Sequence, residues 1–321
     1  MESLFKGTTS EFRAWVPVTT NFTMAPLLPV LDTTAAELLP RFLGEAVAEQ
    51  ISGLTVAYPD DVTADELRDL KRALSLAQST VAKIGFAAYM PFAEVQVGDD
   101  GLTVTAQDGR KAAFEYQTKR MERQLLESGW QAMDELVKLV ASKPDLFEGW
   151  TDTPSYQDHQ KALFKSPAEF SKYYPIQDKW LTFWALRPFI QTVEEDRGET
   201  ATERIDALPN TVTDEKKARL KRTLLRALAY EAVIMAVPNL SIEVAGANVQ
   251  VNYASQYGNA TYYQPPGREH LDWVLGNLRL QAETAWSAFE SQVAALIGVT
   301  TTPTDEGLGL IANNGHGLIM L

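Results

Sequence analysis

A stretch that occurs twice constrains this chain more than any other feature. Pro91-Phe-Ala-Glu-Val-Gln-Val-Gly-Asp-Asp-Gly-Leu-Thr-Val104 returns, 147 positions later, as Pro238-Asn-Leu-Ser-Ile-Glu-Val-Ala-Gly-Ala-Asn-Val-Gln-Val251. Each copy is a proline, an alternating apolar run, a turn of Gly, Asn or Asp, and a second alternating run. Period-two alternation around such a turn predicts a β-hairpin. Val95 and Val97 in the first copy match Ile242 and Val244, and Leu102 and Val104 match Val249 and Val251. Both prolines follow a helical pattern that they are expected to end.

Further matches keep the same order. Glu11-Phe12 with Pro17-Val18 resembles Glu169-Phe170 with Pro175-Ile176, at an offset of 158. Leu27-Leu-Pro29-Val-Leu31 resembles Leu186-Arg-Pro188-Phe-Ile190, at 159, and the helix from Trp130 to Val137 resembles that from Trp286 to Val293, at 156. One domain-sized unit, duplicated with loop insertions, explains the order. The expected fold class is mainly α: a tandem duplication of a helical-bundle unit, each copy carrying one antiparallel β-hairpin. The expected domains are a first helix–hairpin–helix unit over 1–150, a linker over 151–167, a second unit over 168–299, and an extended C-terminal tail over 300–321.

Capping and periodicity fill in the plan. Thr63-Ala-Asp-Glu66 is a capping box. It opens a helix whose apolar positions Leu67, Leu70, Leu74, Ala77, Val81, Ile84 and Ala88 recur every three or four residues. Residues 26–52 read as helix broken by Pro26, Pro29 and Pro40, and 114–142 as one long helix. In the second half, helices are expected over 180–196 and 213–236, with a last one opened by Pro266 and closed by Gly298. Residues 143–167 are rich in Pro, Asp, Thr and Ser and read as the linker region between the copies, with Trp150 and Tyr156 as anchors.

Chemistry is sparse by comparison. Cysteine is absent, which removes disulfides, thiolate zinc sites and cysteine nucleophiles. His159, His270 and His316 stand in no metal-ligand spacing, and Asp99-Asp100-Gly101 lies where a hairpin must turn, so no metal or cofactor is expected. Glu194-Glu195-Asp196 reads as a solvated helix end. Gly307-Leu-Gly309 follows no strand and fails as a dinucleotide loop. No catalytic motif appears, so the chain is not expected to be an enzyme. The net charge of −13 argues against general duplex-DNA binding and against attraction to an anionic membrane. Arg219, Arg222 and Arg226 form a basic stripe on one helix. They read either as partners for the chain's own carboxylates or as contacts to DNA backbone or an acidic partner.

The tail carries Leu308, Leu310, Ile311, Leu318, Ile319, Met320 and Leu321 among glycines. It reads as a segment that docks on an adjacent chain. These residues and the hairpin residues Val95, Val97, Leu102, Val104, Ile242, Val244, Val249 and Val251 are the candidate subunit and partner contacts. The start lacks a basic region followed by an apolar one, and no apolar run reaches membrane-span length, so a soluble intracellular chain is expected.

Leu4-Phe-Lys-Gly with Glu11-Phe12 and Trp15-Val-Pro17-Val18, the Tyr89-Met-Pro91 entry, the Trp130 helix, and Glu169-Phe170 through Leu186-Arg187-Pro188 to Val193-Glu194-Glu195 resemble a family of uncharacterised proteins from Bacteroidetes phages and prophages. The resemblance covers most of the chain up to about residue 250. It implies a virion component encoded among head and neck genes. Separately, a helical unit with a β-hairpin resembles the head–tail adaptor domains of long-tailed phages, although two units stand here where simple adaptors carry one. The expectation is a non-enzymatic phage structural protein. It would be a head–tail connector or adaptor forming a ring at the neck between portal and tail, found in the virion and in host cytoplasm during assembly. Its expected partners are copies of itself and portal, tail or neck proteins, with DNA passing through a channel and no membrane. The alternatives are a tail-completion or capsid-associated protein, or a cytoplasmic helical scaffold for a protein partner.

Overall fold

The computed structural model describes residues 2–98, 101–104, 115–240, 242–245, 248–251 and 268–297. A short helix, α1 (Thr9–Phe12), leads into α2 (Leu28–Leu43), α3 (Glu45–Gly53) and two long helices, α4 (Ala64–Glu94) and α5 (Glu115–Ser142). After α6 (Pro154–Lys161) the order recurs with α7 (Pro167–Ser171), α8 (Trp180–Val193), a π-helical turn (Glu194–Gly198), α9 (Glu199–Asp206), α10 (Asp214–Ala236) and α11 (Arg268–Ile297).

Capping fixes the entries. Thr8 accepts a hydrogen bond from the Glu11 N–H at the start of α1, and Ser166 does the same from Glu169 at the start of α7. Glu11 reaches back to the Lys6 N–H at 2.8 Å, and Glu169 to the Lys165 N–H at 3.0 Å. Behind each box a phenylalanine, Phe12 or Phe170, is fully buried. The capping box at Thr63 also forms, with Glu66 Oε2 accepting from the Thr63 N–H at 2.7 Å.

Two hydrophobic cores result. The first gathers α1 to α5 with Phe147 and Trp150, and the second gathers α7 to α11. In each, a pair of long antiparallel helices packs against a shorter helix, α4 and α5 on α2, and α10 and α11 on α8. Equivalent positions emerge from this packing. Thr34, Leu38, Pro40 and Phe42 on α2 occupy the places of Thr182, Leu186, Pro188 and Ile190 on α8, at an offset of 148, with the threonines and Leu38, Leu186, Phe42 and Ile190 all buried. Pro188 therefore answers Pro40 inside its helix. Pro29, expected as its match, sits in the first turn of α2 instead. At an offset of 150, Pro59, Val62, Thr63, Leu70, Leu74 and Ala77 answer Pro209, Val212, Thr213, Leu220, Leu224 and Ala227.

Trp184 joins the cores. Its ring stacks on Phe42 at 6.1 Å and 8°, and lies 6.2 Å from Trp150. Asp134 on α5 accepts the Leu181 N–H at 2.9 Å, so a side chain of one unit satisfies the first turn of α8 in the other. Residues 147–156, expected as part of a linker region, help build this seam: Trp150 is fully buried and Tyr156 packs edge-on against it.

The fold class needs correction on its β component. The packed units are helical, and the expectation that each carries a β-hairpin as part of its architecture does not hold. Strands among the described residues are limited to β1 (Val95–Gly98) beside β2 (Gly101–Val104), and β3 (Ile242–Ala245) beside β4 (Asn248–Val251). Each pair is an antiparallel ribbon that joins no wider sheet among the described residues, with Val95 opposite Val104 and Ile242 opposite Val251. Two strands of this length are marginal in water and cannot hold a layer of a fold; the helix pairs do that. The helix also takes residues expected as strand entry, since α4 runs through Pro91 to Glu94. In α2 the break falls at Gly44, with φ of 83°, and not at Pro40, which the helix accommodates.

Candidate functional site

A concentration of like charge lies on α10. Its buried face carries Leu220, Leu224, Leu228 and Ala232. The opposite side carries Arg219, Arg222 and Arg226, all exposed. Spacings of three and four put the arginines on one stripe about 10 Å long. They rim a groove of about 770 Å³ between α10 and α11, closed at one side by Lys172 and Tyr173 beyond α7. Tyr230 lines its far end, and the α11 wall is small and mostly uncharged, with Leu280, Thr284, Ala285 and Ala288.

Among the described residues the stripe is not matched by carboxylates. Among the described residues, none of the three arginines is in a salt bridge, although Arg72, Arg187, Arg197 and Arg204 each are. The first unit shows the cause. At the offset of 150, Arg219 stands where Asp69 pairs with Arg68 at 3.8 Å and Lys143 at 3.5 Å. Arg222 stands where Arg72 meets Glu135 at 3.3 Å, and the residue answering Glu135 on α11 is Ser291. Arg226 replaces Leu76, which packs against the first core. At these positions the second unit has thus gained two cations, Arg219 and Arg226, and lost two carboxylates, those of Asp69 and Glu135. The field reaches into the groove: burial and then Glu169 push the Tyr173 hydroxyl up, while Arg222 and Arg226 oppose them.

Glu194 behaves differently from the solvated helix end expected of it. It is buried in the π-helical turn. Its Oε1 accepts the N–H groups of Leu163 at 3.0 Å and Phe164 at 3.1 Å, and its Oε2 faces Arg187 at 3.3 Å. Burial raises its pKa, against the pull of Arg187 and the two backbone donors. This carboxylate staples the chain entering the second unit to α8. The sequence signal was a lone Arg187 seven residues upstream, too far for a helical pair.

The remaining candidates are spread along the fold. Val95, Val97, Leu102 and Val104 fall on β1 and β2, and Ile242, Val244, Val249 and Val251 on β3 and β4. Leu308, Leu310, Ile311, Leu318, Ile319, Met320 and Leu321 lie outside the described residues, as does His316. His159 is on α6 and His270 on α11. No cluster of three metal-ligating side chains occurs among the described residues, and none of their helices is long and apolar enough to cross a membrane.

One family model, described as a family of unknown function (DUF6712), matches residues 39–160 and 189–291, more than half of the chain. The chain belongs to the DUF6712 family. The two matched segments fall one in each helical unit and begin within a residue of Pro40 and Pro188, the equivalent prolines of α2 and α8. No curated protein and no solved structure matches this DUF6712 chain.

Proposed function

We propose that this DUF6712 protein is a non-enzymatic phage structural protein, a head–tail connector or adaptor that assembles with copies of itself as a ring between portal and tail. The observation that carries the reading is the shared ending of both units. In each, the facing ends of the two long helices expose large apolar side chains. Phe92 is 66% exposed near the end of α4 and Tyr116 67% near the start of α5. Met235 and Trp273 are exposed at the corresponding ends of α10 and α11. A chain of net charge −13 that keeps apolar tips in two places has surfaces suited to burial against like chains. The resemblance described above supplies the virion setting.

The test is assembly of the purified chain. Light scattering behind gel filtration and negative-stain imaging are expected to show closed rings at micromolar concentration. Phe92→Glu combined with Trp273→Glu should dissolve them into subunits with unchanged far-UV circular dichroism. A chain that stays monomeric up to about 100 μM, a range in which stable interfaces associate, would overturn the reading.

A further inference from the structure

The basic groove has an occupant of matching chemistry within the chain itself. We propose that it binds the chain's own C-terminal segment, with Asp305 and Glu306 against the arginines of α10 and with Leu308, Leu310 and Ile311 against the α11 wall. This inference is independent of ring formation.

Three observations carry it. The first is charge: Arg219, Arg222 and Arg226 lack carboxylate partners among the described residues, in a chain with 42 acidic and 29 basic side chains. The second is the character of the groove. One side is cationic, while the other offers Leu280, which is 63% exposed, and the methyl groups of Ala285 and Ala288. A phosphate backbone has no use for that apolar wall, whereas a segment with two carboxylates followed by Leu308, Leu310 and Ile311 matches both sides in order. The third is attachment. α11 runs antiparallel to α10 and ends at Ile297, five residues beyond Gln292, which lines the groove. Asp305 follows Ile297 by eight residues, a reach of up to about 27 Å for extended chain. The groove wall from Gln292 to Leu280 spans only about 18 Å of helix. The segment therefore starts at the groove's mouth, and so short a tether holds it there at millimolar effective concentration. The tail was expected on an adjacent chain because compact units need not provide it with a groove; the α10–α11 groove is one within the same chain.

The absence of cysteine provides a clean test. Ala288→Cys with Leu308→Cys in the full chain, under mild oxidation, should form a disulfide within one chain. It should form at least about tenfold faster than in a control pairing Leu308→Cys with Glu37→Cys on exposed α2. Reversing Arg219, Arg222 and Arg226 to Glu should slow trapping about tenfold without changing the melting curve. Adding Asp305→Lys and Glu306→Lys to that variant should restore the rate. Trapping no faster than the control, or indifferent to charge reversal, would overturn the proposal. Disulfides formed mainly between chains would overturn it in favour of a second copy. Duplex DNA that binds the wild type but not the charge-reversed chain at physiological salt, with trapping no faster than the control, would overturn it in favour of a nucleic-acid surface.

Discussion

Trp184→Ala tests how the two units are coupled. The side chain belongs to α8 but is packed against both cores. Its ring faces Phe42 and Trp150 from the first unit and Trp180 from its own helix. Deleting a fully buried tryptophan costs about 3–5 kcal/mol. Trp184 is half-buried, so about half of that applies, roughly 2 kcal/mol. Each lost ring pair across the seam adds about 0.5–1.5 kcal/mol. Since ring contacts and burial overlap, the expected loss is about 3 kcal/mol. It should fall on the seam and leave both cores intact. Urea unfolding of the wild type, followed by circular dichroism, should show one dominant transition, and the variant should show two. Leu31→Ala, which opens a cavity in the first core away from the seam, should lower stability without splitting the transition. A Trp184→Ala loss below about 1 kcal/mol with a single transition would refute the coupling argument.

Three further outcomes follow from local geometry. Gly44→Ala should cost about 1–3 kcal/mol in urea unfolding, because φ is 83° and a β-carbon would lie 2.7 Å from Thr153 Cγ2. Ser166→Ala should cost about 1 kcal/mol, read the same way, through loss of the cap on α7. Asp134 has its pKa raised above 3.8, first by burial, with the Leu181 N–H and Lys179 opposing. A carboxyl whose folded pKa is raised supports the fold most when protonated and loses that support as pH rises through the folded value. Asp134→Asn should therefore gain stability relative to wild type as pH rises from about 4 and level off above the raised pKa; a difference that does not change with pH would disprove this.

Much of the helical plan was legible because apolar periodicity and capping act locally. The stripe from Leu70 to Ile84, the Thr63 box and the paired Glu11 and Glu169 entries depend on residues within a turn or two of one another. What the sequence hid was decided by distant partners. Glu194 sits in an acidic run that looks solvated, and only the backbone of Leu163 and Phe164, some 30 residues away, makes it a buried staple. The prolines misled for a related reason. A proline removes one hydrogen bond from a helix, a loss that buried flanking residues such as Leu39 and Leu43 can offset, so α2 continues through Pro40. The alternating runs after Pro91 and Pro238 misled in the same way, since paired strands of four residues do not build a fold. The arginine stripe was visible as a pattern. Whether it was already neutralised depended on Ser291 replacing a glutamate on a helix about 70 residues away.

The π-helical turn has a mechanical consequence. In the first unit, α2 and α3 are separated by Gly44, a single residue with left-handed backbone. In the second, α8, the turn and α9 run without interruption from Trp180 to Asp206, 27 residues in all, or about 40 Å of continuous rod. Six positions are gained across it, as the offset between Ile51 and Ile205 is 154 against 148 for Pro40 and Pro188. A displacement applied at Trp180 is expected to reach Asp206 through one continuous helical element, whereas the same push on α2 meets the break at Gly44.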